Sequence, residues 1–262
     1  VGSNIDEFFM VRVGGLKLQL AAGIFEPSFD GATPAEQLAA IREVSMDILI
    51  QQVSCLQDLI SRLKERGIYI LNYNELSKQQ LSNAKEYYNE VVFPVLTPLA
   101  VDPGHPFPHI SSLSLNLAVL VQGEDGKQRF VRVKVPDTLP RFVPLKRSSG
   151  GVRKDGTVPR KHYFVWLEQL IADNLGRLFP GLKVLEAHPF YIIRNADMAI
   201  QELEAIDLLE TVEQSVRQRR FGNVVFLGIN PTMPPNILDI LVYNLEMDTN
   251  DIYIINSPFG LS

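Results

Sequence analysis

Cysteine is nearly absent: Cys55 is the single one in 262 residues. An intrachain disulfide and a thiolate metal cluster are therefore excluded, and a reducing, cytoplasmic setting is expected. Histidine is scarce too. His105, His109, His162 and His188 are the four, and none stands in the HExxH spacing that turns two imidazoles toward one zinc ion. No serine occupies a GxSxG elbow. No glycine-rich loop ends in the Lys-Ser or Lys-Thr that cradles phosphates, and Gly150-Gly151 lacks the strand-to-helix context such a loop needs. No apolar run approaches the ~18 residues of a membrane span. A basic excess is also missing: 25 Lys and Arg against 30 Asp and Glu give a net charge of -5, which argues against a general nucleic-acid binder. From residue chemistry alone, the chain shows no active site.

What is present is an ordinary globular composition, 46% apolar, long enough for two domains at roughly 100–200 residues each. The first segment reads as helical. Ser3 stands at an N-cap position with Asp6 three residues on, as in a capping box, and Asp6 and Glu7 suit the dipole of a first turn. A helix opening so close to the first residue leads to the expectation that the chain is part of a longer protein, with an upstream partner helix. Thr33-Pro34-Ala35-Glu36 joins a cap, a helical N1 proline and a capping-box Glu. Leu38, Ile41, Ile48, Leu56, Leu59 and Leu63 follow at helical spacing to Gly67, predicting a helix of about thirty residues and roughly 50 Å. The period changes there, so domains are expected over 1–66 and 67–262.

The second segment alternates helices and strands. Ile68 to Tyr73 is β-prone, and Ser77 with Gln80 caps a helix that ends near Phe93-Pro94. A proline-rich connection runs from Pro94 to Pro108. Leu113 to Val121 and Val131 to Val135 alternate around Asp125-Gly126, the pattern of a hairpin. A basic, Gly/Ser-containing insertion covers Lys146 to Lys161. Strands follow near His162–Val165, Lys183–Arg194, Asn223–Ile229 and Asp251–Ile255. Helices are expected over Glu168–Leu178, Ala199–Arg219 and Pro235–Glu246. The fold class expected is α+β: a helical, bundle-like N-terminal domain, then a mixed α/β domain with a β-hairpin.

Three features invite a functional reading. Asn4 carries an amide that both donates and accepts, a pairing that suits an adenine edge, although capping is the simpler account of it. Arg217, Arg219 and Arg220 close a helix, where cations suit the dipole; their density also presents guanidinium forks to phosphates. The insertion with Lys146, Arg147, Arg153, Lys154, Arg160 and Lys161 is either a solvated loop or a means of steering a polyanion. His109, following a proline, reads as a structural hydrogen-bonding residue.

Five segments together point further. Ser3-Asn4-Ile5-Asp6-Glu7-Phe8-Phe9-Met10-Val11-Arg12-Val13 resembles the SN-(L/I)-DEFF-x-VRV signature of class-1 polyphosphate kinases. The run from Thr97 to Pro108, continuing through Leu113-Ser114-Leu115-Asn116-Leu117, is similar to that family's TPLAVDP-x-HPFP segment. Phe179-Pro180-Gly181, Arg194-Asn195-Ala196-Asp197 and Arg219-Arg220-Phe221-Gly222 also match in order. The resemblance covers nearly the whole chain. One departure is Val224-Val225-Phe226-Leu227-Gly228, where the family commonly reads VVRLE.

The resemblance implies a parent that reversibly moves the terminal phosphate of ATP onto polyphosphate through a phosphohistidine, with magnesium. It implies that the chain corresponds to the N-terminal helical domain, lacking its first helix, and to the head domain. The reactive histidines and the Mg2+ ligands would lie elsewhere in the parent, so none of the four histidines here is expected to be phosphorylated. It makes Asn4 the contact to the ATP base, suggests a polyphosphate-side place for Arg219 and Arg220, and implies a homodimer formed through the head domain. The alternatives are a non-catalytic assembly or adaptor module and a polyanion binder using the basic loop.

Overall fold

The computed structural model describes residues 2–29, 31–101, 107–145, 161–196, 222–256 and 258–260. Its contacts divide the chain into two units. One takes residues 1–49, 109–114 and 190–262, and the other takes 50–108 and 115–189.

In the first unit, helix α1 (Gly2–Phe8) passes into a π-helical turn (Phe9–Val13) and then into α2 (Gly14–Ala21). Ser3 lies inside the first turn of α1, one residue past its start, so it does not cap the helix as the spacing suggested. Helix α3 (Pro34–Glu65) begins in this unit. Its expected capping box is formed: the Thr33 amide donates to Glu36 Oε2 at 2.8 Å, and the Glu36 amide donates to Thr33 Oγ1 at 3.4 Å.

The second unit holds the remainder of α3, which ends at Gly67 with φ 83°, a left-handed value that favours glycine. Strand β1 (Ile68–Leu71) follows, then α4 (Lys78–Tyr87), capped by Ser77 and Gln80 as expected and running into a second π-helical turn (Tyr88–Val92). Strands β2 (Pro98–Val101), β3 (Ser114–Gln122) and β4 (Gln128–Lys134) form an antiparallel ladder in the order β2-β4-β3. The β3–β4 hairpin turns at Gly126, φ 73°. Strand β5 (Phe142–Leu145) pairs antiparallel with β6 (His162–Trp166), which pairs parallel with β1. Helix α5 (Leu167–Asp173) covers them. The core joins Val119, Val121, Val131 and Val133 of the hairpin to Tyr88 and Val92 of the π turn and to Leu170 and Ile171 of α5.

Strand β7 (Lys183–Arg194) starts in the second unit and ends in the first. There β8 (Val224–Ile229) pairs antiparallel with Phe190–Arg194 and parallel with β9 (Ile252–Ile254). Helix α6 (Pro235–Leu245) links β8 to β9. Parallel and antiparallel pairs thus coexist, as a chain with both hairpin and crossover links requires.

The expected strand over Ile68–Tyr73 is four residues long. The expected helix over Glu168–Leu178 divides into α5 and a 3-10 turn at Leu175–Arg177. Two strands arise where none was expected. Both carry prolines, Pro98 in β2 and Pro144 in β5, and both are edge strands, where a missing N–H leaves no ladder bond unmade.

Candidate functional site

Asn4 sits on the exposed side of α1. Beside it is a cavity of about 540 Å³, walled by Ile5 and Phe8 of α1, by Phe9 of the π turn, and by Ala40, Ile41, Val44, Ser45 and Ile48 on α3. The walls are almost wholly apolar, and the polar groups offered are the Asn4 amide and the Ser45 hydroxyl. Phe8, Val44 and Ile48 remain 41%, 58% and 37% exposed, so an apolar ligand entering here would remove real hydrophobic surface from water. Planar, largely apolar ligands with a hydrogen-bonding edge fit such a place, because the walls bind the face while one amide selects the edge.

The rigidity of that wall comes from Phe9. It is 1% exposed and meets Phe226 and Tyr253 edge-on, at ring-centroid distances of 5.0 and 5.4 Å. Phe226 and Tyr253 stack at 4.5 Å. This cluster also accounts for the departure from the family's VVRLE pattern. Phe226 fills the aromatic cluster, and a Cβ at Gly228 would lie 3.0 Å from Phe226 and 3.1 Å from Phe259. The strand is specialised for close aromatic packing.

Several of the matched segments meet here. The Ala196 amide donates to the Met10 carbonyl in the π turn at 3.0 Å. A Cβ on Gly14 would stand 2.3 Å from Asn195 Oδ1, and one on Gly222 would stand 2.2 Å from the Asn195 carbonyl oxygen. Backbone contact therefore requires glycine at 222, while at 14 a side chain would have to displace that of Asn195. Arg194 donates to the carbonyls of Ile110 and Gly222, each at 2.8 Å, while its amide donates to Ser112 Oγ at 2.8 Å. Burial lowers its pKa, yet an arginine remains charged. Its role is to fasten segments together.

A second cavity, of about 590 Å³, is lined by Lys17, Arg42, Asp251 and Tyr253 among others. Lys17 pairs with Asp251, and Arg42 donates to the carbonyls of Asn250 and Ile252 while lying 5.1 Å over the Tyr253 ring. Burial raises the Asp251 pKa against the opposing pull of Lys17, and burial takes the Tyr253 phenol to about 12. These groups serve one another.

Arg217, Arg219 and Arg220, the helix expected over Ala199–Arg219, His105 and most of the basic insertion lie outside the described residues. Lys161 is described, with its ammonium 5.6 Å over the Tyr69 ring. His109 is exposed, and His188 Nε2 lies 3.0 Å from Glu186 Oε2. Among the described residues, no group of three His, Cys, Asp or Glu side chains could hold a metal ion. Among the same residues, no helix is long and apolar enough to cross a membrane.

Comparison with known proteins places the chain in a family. Residues 1–71 match the polyphosphate kinase N-terminal domain, and residues 79–262 match the polyphosphate kinase middle domain. This chain belongs to the polyphosphate kinase family. It is 45% identical over 262 residues to polyphosphate kinase 1 of Chlorobaculum tepidum, covering 99% of this chain and 37% of that protein. The polyphosphate kinase of Synechocystis sp. is likewise 45% identical, with 99% and 36% covered. The chain thus spans a little over a third of the length of these relatives. The crystal structure of polyphosphate kinase from Porphyromonas gingivalis shares the fold, with a TM-score of 0.71 at 22% identity over 99% of this chain and 34% of that one.

Sequence reasoning reached Asn4 through the signature. It did not reach the apolar wall opposite: Ile41 and Ile48 enter it only as part of the helical spacing, and Ala40 and Val44 carry no signal in the sequence. Their exposure is the signal, and exposure is not written in spacing.

Proposed function

We propose that this chain supplies the nucleotide-base wall of a polyphosphate kinase, one that transfers the terminal phosphate of ATP reversibly to polyphosphate through a phosphohistidine. The observation that carries the reading is Asn4 at the rim of an apolar cavity, in a chain of this family. The base lies against Ile5, Phe8, Val44 and Ile48, and the Asn4 amide donates to and accepts from its edge. Such contacts are the same before and during phosphoryl transfer, so they hold the nucleotide without speeding the chemical step. The histidine nucleophile and the Mg2+ that offsets phosphate charge belong to family domains which this chain does not resemble.

Arg219 and Arg220 take the polyphosphate side, where guanidinium forks suit phosphate oxygens. The head domain pairs two copies, and sedimentation of the chain across a concentration series tests that part. The test of the central reading is Asn4→Ala in the whole enzyme. The expected result is an ATP KM raised about five- to tenfold, the worth of one or two neutral hydrogen bonds, with kcat unchanged. An unchanged KM removes Asn4 from the site and favours a purely assembling role for these domains.

A further inference from the structure

Tyr88 opens the π-helical turn that follows α4, and single π turns are frequent at functional sites. Its side chain is 1% exposed, and its hydroxyl has no hydrogen-bond partner among the described residues. A buried hydroxyl left so is costly, and orphans of this kind ask for a reason. Tyr88 also lines a cavity of about 310 Å³ within the second unit, together with Lys85, Asn89, Asp173, Asn174 and Arg177.

The rim chemistry is specific. Lys85 and Arg177 bring two positive charges and Asp173 one negative. Arg177 is fixed from two directions, donating to Asn89 Oδ1 and lying 4.5 Å over the Phe93 ring. Asn174 is fixed as well, donating to Tyr73 Oη at 3.0 Å and to the Leu170 carbonyl at 2.8 Å. Burial raises the Tyr88 phenol to about 12, against the pull of Arg177, and burial also raises Asp173. The hydroxyl therefore keeps its proton and can donate it.

We infer that this cavity binds a protonated tetrahedral oxyanion, of which hydrogen phosphate is the simplest form. The Tyr88 hydroxyl donates to one oxygen, and Lys85 and Arg177 balance the charge. The acidic P–OH donates to the Asp173 carboxylate, a contact that would repel a fully ionised anion. A single water would satisfy the hydroxyl but would make no use of the charges that Lys85, Arg177 and Asp173 bring to the lining. The same chemistry is presented by a free orthophosphate ion and by the end of a phosphate chain. This site is separate from the Asn4 cavity and stands or falls without it.

The test is calorimetric titration of the 262-residue chain, free of magnesium, with orthophosphate, sulfate and tripolyphosphate at matched ionic strength. Saturable binding of orthophosphate, with sulfate several-fold weaker, is expected because sulfate has no proton to give Asp173. Tyr88→Phe should weaken phosphate binding about tenfold while leaving the thermal midpoint unchanged or higher, since it removes an orphaned polar atom. Asp173→Asn should erase the preference over sulfate. Tripolyphosphate binding tighter than orthophosphate, with the same Tyr88→Phe loss, identifies a chain end as the natural occupant; the reverse order identifies the free ion. Absent binding, equal affinity for sulfate, or a Tyr88→Phe variant that binds as the parent does would each overturn the inference.

Discussion

Arg194 Nη1 donates to the carbonyl of Gly222 across 2.8 Å, joining two segments 28 residues apart in sequence. The same guanidinium reaches the Ile110 carbonyl from Nε at 2.8 Å. One half-buried cation thereby collects the loop before β3, the end of β7 and the entrance to β8. Hydrogen bonds from a charged donor are worth ~1.5–3 kcal/mol each. Arg194→Met should cost roughly 3 kcal/mol, with Arg194→Lys intermediate because an ammonium cannot span both acceptors. Urea unfolding checks this, and loss of amide protection confined at first to the β8 entrance would identify the clamp as the cause.

Gly14 and Gly15 stand side by side in helix α2 and should respond oppositely to the same change. Alanine is the better helix former by ~1 kcal/mol. At Gly15 nothing lies within 4 Å of an added Cβ, so Gly15→Ala should stabilise by about that amount. At Gly14 the new atom would meet Asn195 Oδ1 at 2.3 Å, so Gly14→Ala should destabilise by ~1–3 kcal/mol. Thermal midpoints moving in the same direction for both variants would contradict the close approach of Asn195.

Lys17 and Asp251 give a pH-dependent case. Asp251 is 7% exposed, and burial outweighs Lys17 in setting its pKa above the ordinary 3.8. The folded chain therefore holds this proton where the unfolded chain has released it. From this group alone, stability rises as pH falls through the raised folded value and levels off below about 3.8. Lys17→Met removes the carboxylate's hydrogen-bonded partner and leaves it the pull of Arg42, and should cost ~3 kcal/mol near neutrality. That cost should shrink on acidification, once Asp251 is protonated. Asp251→Asn should be far milder, since it removes the buried charge. Equal losses for the two variants at neutral pH would show that the ion pair, not the desolvated carboxylate, sets the balance.

Local rules made much of this fold legible. Thr33-Pro34-Ala35-Glu36 marked the start of α3, Ser77 with Gln80 marked α4, and Asp125-Gly126 marked the hairpin; each signal is a contact within four residues. What stayed hidden depends on partners far along the chain. Pro98 and Pro144 masked two strands, because only an edge position makes a proline harmless there. The clamp at Arg194 depends on Ile110 and Gly222, which no spacing rule connects. Neither π turn had a sequence signal, although one opens at Phe9 and the other at Tyr88, where the two proposed sites lie. For Asn4 the family signature named the residue, while its apolar surroundings came only from which side of α3 was left uncovered.

Those surroundings supply the last prediction. If the base rests against Val44 and Ile48, filling the cavity should weaken ATP without altering chemistry. Val44 is 58% exposed, so Val44→Trp in the whole enzyme can be accommodated by the fold, yet its ring would occupy the cavity. An ATP KM raised at least tenfold with kcat retained is expected, the signature of lost uniform binding. Asn4→Asp should act differently: it keeps an acceptor and loses the donor, so the preference for ATP over GTP should fall together with affinity. A Val44→Trp enzyme with an unaltered KM would place the base elsewhere. The apolar wall would then be a surface for protein packing, and Asn4 a bystander at its edge.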